Sequence, residues 1–353
     1  MNIDKDVRLS SLTTLGVGGS AKQLITVDTE AELIAAVVDA DENSRSVLLI
    51  GGGSNLVVSD DRFDGDVVRI ATQGIDVVDA SDCAGVTVTV AAGEPWDDLV
   101  AQAVTQGWAG VEALSGIPGL TGATPIQNVG AYGQEVSQTI AQVRVYDRMT
   151  KEVTTVAATD CGFGYRMSRF KHDPRWIVLS ATFQFRAGTL GSPIAYAELA
   201  RALDVTEGER APLADVRDAV LALRRSKAMV IDVDDPDTRS AGSFFTNPVL
   251  SVAAADALPA EAPRWTHTDG RIKTSAAWLI EQAGFVKGYR LDSAGLSSKH
   301  TLAITTSSPA KAEDVITLAR HIRSTVFDRF GIHLVAEPVL VGFPDDVLGQ
   351  DMA

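Results

Sequence analysis

Two glycine-rich loops, one serine, one arginine and one glutamate are the places in this chain where residue type and spacing could do chemistry. The first loop, Gly51-Gly52-Gly53-Ser54-Asn55, follows a short apolar run, Val47–Ile50, and leads into another, Leu56–Val58. Backbone N–H groups brought close together by glycines can hold a phosphate. A strand on both sides excludes the strand–turn–helix geometry in which a helix dipole helps to hold a pyrophosphate. A tight strand connection with no ligand explains the same residues equally well. The second loop, Leu114 to Gly133, is dense in glycine and poor in regular pattern. An irregular stretch of that length inside a domain is usually functional. Thr124, Gln127 and Asn128 supply neutral hydrogen-bonding groups, and no acid, base or metal ligand lies within the loop. It suits a cradle for a flat, bulky cofactor better than a catalytic centre. Gly16–Ala21 fits the loose dinucleotide fingerprint, but no clear strand precedes it and a strand follows, so it is set aside.

Arg166 stands in a basic run, Gly164-Tyr165-Arg166-Met167-Ser168-Arg169-Phe170-Lys171. A guanidinium fork matches a carboxylate and keeps its charge at any working pH. The plainer reading is a solvated basic cluster. Ser243 lies in Ser240-Ala241-Gly242-Ser243-Phe244-Phe245-Thr246-Asn247-Pro248. A serine is a very weak acid and gives up a proton only where its surroundings return it. The plainer reading is a serine in a turn. Glu337 lies in Leu334–Val341, where alternation puts it on the face of Val335, Val339 and Val341. That is an odd place for a carboxylate if the face is buried. The alternative is an edge-strand charge that guards against aggregation, with Pro338 beside it.

These motifs together resemble the UDP-N-acetylenolpyruvoylglucosamine reductases, and the match covers nearly the whole chain. The resemblance implies an α+β protein: an FAD-binding fold of the vanillyl-alcohol oxidase type, made of two α+β subdomains, plus a smaller α+β substrate-binding domain. It implies FAD as cofactor and NADPH as hydride donor. The flavin contacts would be Gly51, Gly52, Gly53, Ser54 and Asn55 in the first loop. In the second they would be Gly119, Gly122, Ala123, Thr124, Ile126, Gln127, Asn128, Gly130 and Ala131, with Arg224 from further along. His172, His267, His300, His321, His333, Cys83 and Cys161 all lie outside both loops, so the FAD is expected to be dissociable. The catalytic group would be Ser243 as proton donor, with Arg166 and Glu337 acting on the enolpyruvyl carboxylate and the charge that develops beside it. Tyr196 would cover the substrate, and Lys227, Asn247, Lys273 and Gln282 would contact its nucleotide part. An oxidase of the wider flavoprotein group would share the FAD half but not the Ser243 and Glu337 segments. A flavin- or nucleotide-binding protein without turnover would leave the three reactive positions unexplained.

The elements that must position these residues are partly legible. A strand is expected at Leu24–Val27 and a helix from Ala31 to Ala40, with Thr29 and Glu32 at capping-box spacing. Val86–Val90 alternates with threonine as a half-buried strand does. Trp96–Gln106 reads as a helix between Pro95 and Gly107. Val143–Tyr146 and Glu152–Val156 read as a hairpin, and Trp176–Phe185 as a longer strand. Helices are expected at Pro212–Lys227, Thr274–Ala283 and Pro309–Phe330, then a strand at Ile332–Val341 and a loose tail beyond Phe343. The domains are placed at 1–70 and 71–210 (the two FAD-binding subdomains), 211–330 (substrate binding) and 331–353 (a strand returning to the FAD-binding part, then tail). The segment Val233–Arg239 is unusually acidic for a neighbour of a pyrophosphate site.

Composition bounds the rest. Of 353 residues, 45% are hydrophobic and 22% charged, an ordinary balance for a folded protein. The formal charge of −15 argues against nucleic-acid binding. No apolar run could span a bilayer, and Met1–Asp6 does not begin a signal peptide. Two cysteines make neither a disulfide framework nor a four-cysteine metal site, so no metal is expected. A cytoplasmic protein, more readily monomeric than oligomeric, fits these features.

Overall fold

In the computed structural model, which describes residues 1–81, 85–267 and 269–349, the valine–threonine alternation forms the strand Gly85–Ala91, with Val86, Val88 and Val90 buried. Contacts divide the chain into two compact units. The first comprises Met1–Val7, Ala21–Gly52 and Asp64–Val230; the second comprises Arg8–Ser20, Gly53–Phe63 and the chain from Ile231 onward.

The first unit holds an antiparallel sheet in the order Glu152–Ala157, Ile140–Asp147, Trp176–Ala187, Gly85–Ala91, Ile75–Ser81. Its long central strand serves two cores. Ile177 and Leu179 pack with Ile25, Val27, Leu33, Val37 and Val68, beneath the helix Glu30–Glu42. Trp176 and Val178 face the other way, into a core with Val143, Val145, Trp96 and Leu99. Beyond Leu179 the phase changes: Ala181, Phe183 and Phe185 join that second core. The cause is a bulge, because Arg144 pairs with Ser180 while Val145 pairs with Val178. One extra residue moves every later side chain to the opposite face.

The helix Trp96–Gln106 buries Trp96, Leu99, Val100 and Ala103, an i, i+3, i+4, i+7 stripe, and ends at Gly107 with φ +74°. The second sheet of this unit runs Asn2–Arg8, Ser20–Val27, Phe63–Ile70, Ser46–Ile50, the last pair parallel. The helix Leu213–Ser226 also belongs to the first unit, where Val216 and Val220 pack with Ala113, Ile194 and Leu199. The boundary drawn at 211 from sequence therefore differs from the contact boundary at Ile231, because this amphipathic helix finds its apolar partners upstream.

The core of the second unit is the helix Ala312–Phe330, which buries Val315, Ile316, Leu318, Ala319, Ile322 and Val326. Its first N–H groups are capped from far away in sequence. The Asp60 carboxylate accepts from Ala312 N at 3.0 and 2.8 Å. Against it lie the strands Ser240–Ser243, Ala303–Thr306, Ala294–Leu296 and Arg290–Leu291, in that order.

Three expectations need correction. The expected strand Ile332–Val341 is regular only at Val339–Val341, paired in parallel with Leu56–Val58. Pro338 lacks the N–H a ladder needs, and the chain before it makes only a single bridge, Ala336 to Phe245. The helix expected from Thr274 starts at Ala276, because Thr274 is in the strand Ile272–Thr274 and Ser275 caps the helix through Trp278 N. The chain beyond Phe343 is not loose as far as Gly349: Arg323, buried within the long helix, donates to the carbonyls of Leu334, Leu348 and Gly349 at 3.0, 2.7 and 2.7 Å. No helix among the described residues is long and apolar enough to cross a membrane.

Candidate active site

Glycine is required at the first loop by the protein's own backbone. Gly53 has φ +61°, and a Cβ there would lie 1.9 Å from the Leu12 carbonyl oxygen. A Cβ on Gly52 would lie 3.0 Å from Gly119 Cα, and one on Gly51 would meet the Leu120 side chain at 2.9 Å. The two glycine-rich loops therefore touch each other. Gly122 completes the packing, since its Cβ would sit 2.5 Å from that of Ala92. The glycine density read from sequence as room for a ligand is thus used in large part for backbone-on-backbone approach.

Hydrogen bonds hold the second loop rigid. Gly119 O accepts from Trp96 N at 3.0 Å, Thr121 N donates to Glu94 O at 2.8 Å, and Thr124 Oγ1 donates to Thr121 O at 2.8 Å. Asn128, expected as a cofactor contact, is 1% exposed, and its side chain is engaged on the protein. Its Nδ2 donates to Glu135 and to Gly164 O, both at 2.9 Å, and its Oδ1 accepts from Ser137 N at 3.2 Å. The carbonyls of Asn128 and Gly130 accept from Arg166, whose backbone is held at φ +53°. The second loop therefore positions the arginine as well as presenting its own surface. Ile126 packs on the core while its carbonyl accepts from Ser168, and Ala131 pairs with Gln134.

Two buried polar atoms beside this loop have no hydrogen-bond partner among the described residues: Thr121 Oγ1 and Arg224 Nε. Arg224 borders Gly116, and its Nη2 donates to Met229 O at 2.7 Å. Burial pushes its guanidinium down to about 10, against the opposing pull of Tyr132 and Asp97. A buried cation with an unanswered donor, beside glycine-rich backbone, is the chemistry of a site for a phosphate-bearing, acceptor-rich cofactor such as FAD.

A second cluster of the first unit joins residues expected to meet the substrate. Lys227 pairs with Glu198 at 2.5 Å and lies over the Tyr132 ring at 5.7 Å. The Tyr196 ring stands edge-on to Tyr132, 5.5 Å away at 89°. Tyr196 is 44% exposed, where a covering residue has room to move. Burial raises the Tyr132 phenol to about 12. Neither Tyr132 nor Glu198 was singled out from sequence. The available signals were the tyrosine between Ala131 and Gly133 in the glycine-rich loop, and a carboxylate two residues after Tyr196. Glu112 also escaped notice. It is 1% exposed, and its carboxylate accepts from Gly110 N, Gln134 Nε2 and Ser192 N at 2.6, 2.8 and 2.6 Å.

In the second unit the segments that carry Ser243 and Glu337 lie side by side. Ser243 ends the strand Ser240–Ser243 after a register shift at Gly242, whose φ is +74°. The next residue, Phe244, accepts from Glu337 N at 2.9 Å. Glu337 O in turn accepts from Asn55 Nδ2 at 3.4 Å, so the end of the first glycine-rich loop reaches the same place. Asn247 and Lys273 also adjoin: Asn247 Oδ1 accepts from Ala276 N at 2.9 Å, and Lys273 pairs with Val249. Gln282 lies at the other end of the helix Ala276–Gln282, about 9 Å along its axis. It is exposed there and lines a cavity of ≈ 470 Å³ with Trp278, Leu258 and Arg329. Arg166 belongs to the first unit. The acidic segment noted in the sequence is satisfied locally, Asp235 by Lys299 at 2.6 Å and Asp237 by Ser298.

This α+β architecture is that of a flavoprotein: residues 21–156 match the FAD-binding domain family. Residues 234–341 match the C-terminal domain of UDP-N-acetylenolpyruvoylglucosamine reductase. The chain is 51% identical to the reductase of that name from Thermobifida fusca, over 96% of this chain and 98% of the other. It is 52% identical to the one from Cutibacterium acnes, over 96% and 90%. Among solved structures, the UDP-N-acetylenolpyruvylglucosamine reductase of Thermus caldophilus matches with a TM-score of 0.67 at 26% identity, covering 97% of this chain and 99% of that one. The chain belongs to the UDP-N-acetylenolpyruvoylglucosamine reductase family, enzymes of peptidoglycan precursor synthesis.

Proposed function

We propose that the protein reduces the enolpyruvyl ether of UDP-N-acetylglucosamine to UDP-N-acetylmuramate, with NADPH as reductant and FAD as a non-covalent cofactor. The observation that carries this reading is the hydrogen bond between Phe244 and Glu337, which sets a hydroxyl and a carboxyl on adjacent segments next to Asn55 of a glycine-rich loop. Bound FAD would relay hydride from NADPH to C3 of the enolpyruvyl group. Thr121, Arg224 and the backbone of the two loops would hold it. Negative charge then develops at C2 and spreads into the carboxylate. Glu337 would stabilise that charge, and Ser243 would deliver a proton to C2. Arg166 is assigned to the substrate carboxylate through its motif, with the fork held by the carbonyls of Asn128 and Gly130. Tyr196 would cover the substrate, Lys227, Asn247 and Lys273 would contact its nucleotide part, and Gln282 would do so more distantly. The functional domains, 1–70, 71–210, 211–330 and 331–353, belong to the same proposal, as does a monomer acting in the cytoplasm.

Anaerobic titration tests it. NADPH should bleach the yellow protein, and the enolpyruvyl substrate should restore the colour without oxygen. Failure to bleach would indicate a binding protein, and recovery only on admitting oxygen would indicate an oxidase.

A further inference from the structure

Lys227 caps the C-terminal end of the helix Leu213–Ser226, and Glu198 lies in the first turn of the helix Ala197–Leu203. Their 2.5 Å ion pair leaves the two side chains 28% and 31% exposed, so a dissolved anion can reach either. An ammonium has three donors and no acceptor. Here one side meets a carboxylate and another the face of Tyr132. The Glu198 charge is felt by both aromatic neighbours, adding to the burial that raises the phenols of Tyr132 and Tyr196.

We infer that Glu198 is a competing counter-ion, a carboxylate on Lys227 that a phosphate of the ligand must displace. This rests on the reading in which Lys227 meets the substrate pyrophosphate. An ammonium facing solvent alone would attract any small anion. One already paired yields only to a ligand that offers a stronger anion together with other contacts. Glu198 therefore lowers the affinity of every anion at Lys227 by the same factor, so that only a ligand with further contacts still binds at a useful concentration. It acts through Lys227 and touches no reacting atom.

The experiment uses the FAD-loaded protein with UDP and uridine as probes, followed by calorimetry. Glu198→Gln should tighten UDP roughly 1.5- to 5-fold, the range for a partly exposed pair. It should leave uridine, which has no phosphate, unchanged, and Glu198→Ala should behave alike. The KM for the enolpyruvyl substrate should fall in step while kcat does not rise. In a Lys227→Met background, Glu198→Gln should have no effect on UDP. Unchanged or weaker UDP binding in Glu198→Gln, where Lys227→Met still weakens it, overturns the counter-ion role alone. Unchanged UDP binding in Lys227→Met overturns the assignment of Lys227, and the counter-ion role with it.

Discussion

A serine hydroxyl holds its proton far too tightly to act as an acid at neutral pH unless the transition state is already carbanionic where the proton is needed. Under the proposed chemistry Ser243 is therefore needed after hydride transfer and not before it. Ser243→Ala should keep a normal rate of flavin reduction by NADPH and lose about 10²- to 10⁴-fold or more in reoxidation by the enolpyruvyl substrate, read by stopped-flow absorbance. Near-normal reoxidation would remove the serine from the mechanism. Asn128 carries a different lesson at this scale. Its type and motif suggested a cofactor contact, whereas its side chain is bound to Glu135, Gly164 and Ser137, and its carbonyl helps to hold Arg166.

Among the elements, the glycine-rich loops are where local conformation and packing meet. Gly53 combines a left-handed backbone with a carbonyl oxygen where a Cβ would go. Gly53→Ala should lower the unfolding free energy by about 2 kcal/mol or more in urea titrations, since the left-handed conformation alone costs about 1–2 kcal/mol for an alanine. A shift within measurement error would show that the loop yields readily. The central strand Trp176–Ala187 shows what alternation alone misses. Its bulge lets one strand supply two cores, and an uninterrupted period of two would place Phe183 and Phe185 on the wrong face.

Stability of the whole molecule couples to pH through carboxylates that are ion-paired in the native state. Asp147 is held well below the usual carboxylate range, first by its hydrogen bonds from Arg175 and then by the Met149 amide. A depressed folded value means stability that is complete above the unfolded pKa, about 3.9, and lost as pH falls toward the folded one. The urea midpoint of the wild type should therefore decline from about pH 5 downward, and the Asp147→Asn variant should show a smaller decline over that window. Equal slopes would mean that the pair does not persist in solution. Flavin attachment is also a property of the whole molecule. Cys161 is buried, with its thiol pushed up to about 11 by burial, and is therefore unreactive; Cys83 lies outside the described residues. Precipitation with acid should leave the yellow colour in the supernatant, and a yellow pellet would show a covalent link.

The glycine-rich loops, the Tyr165–Lys171, Ser240–Pro248 and Leu334–Val341 motifs and most of the long elements were determined by the sequence itself. Periodicity, caps and φ requirements act over a few residues: Thr29 caps its helix through Glu32 N, and Gly107 and Gly331 end theirs in left-handed conformations. Tertiary structure alone decided what depends on contacts between residues remote in the chain. It set Gly52 against Gly119, Asp60 beneath the helix Ala312–Phe330, Glu198 on Lys227 and the Glu337 amide on Phe244. It also assigned residues 8–20 and 53–63 to the unit that begins again at Ile231. Such pairings arise when distant apolar surfaces bury each other, and a local pattern shows which face is apolar but not which partner will cover it.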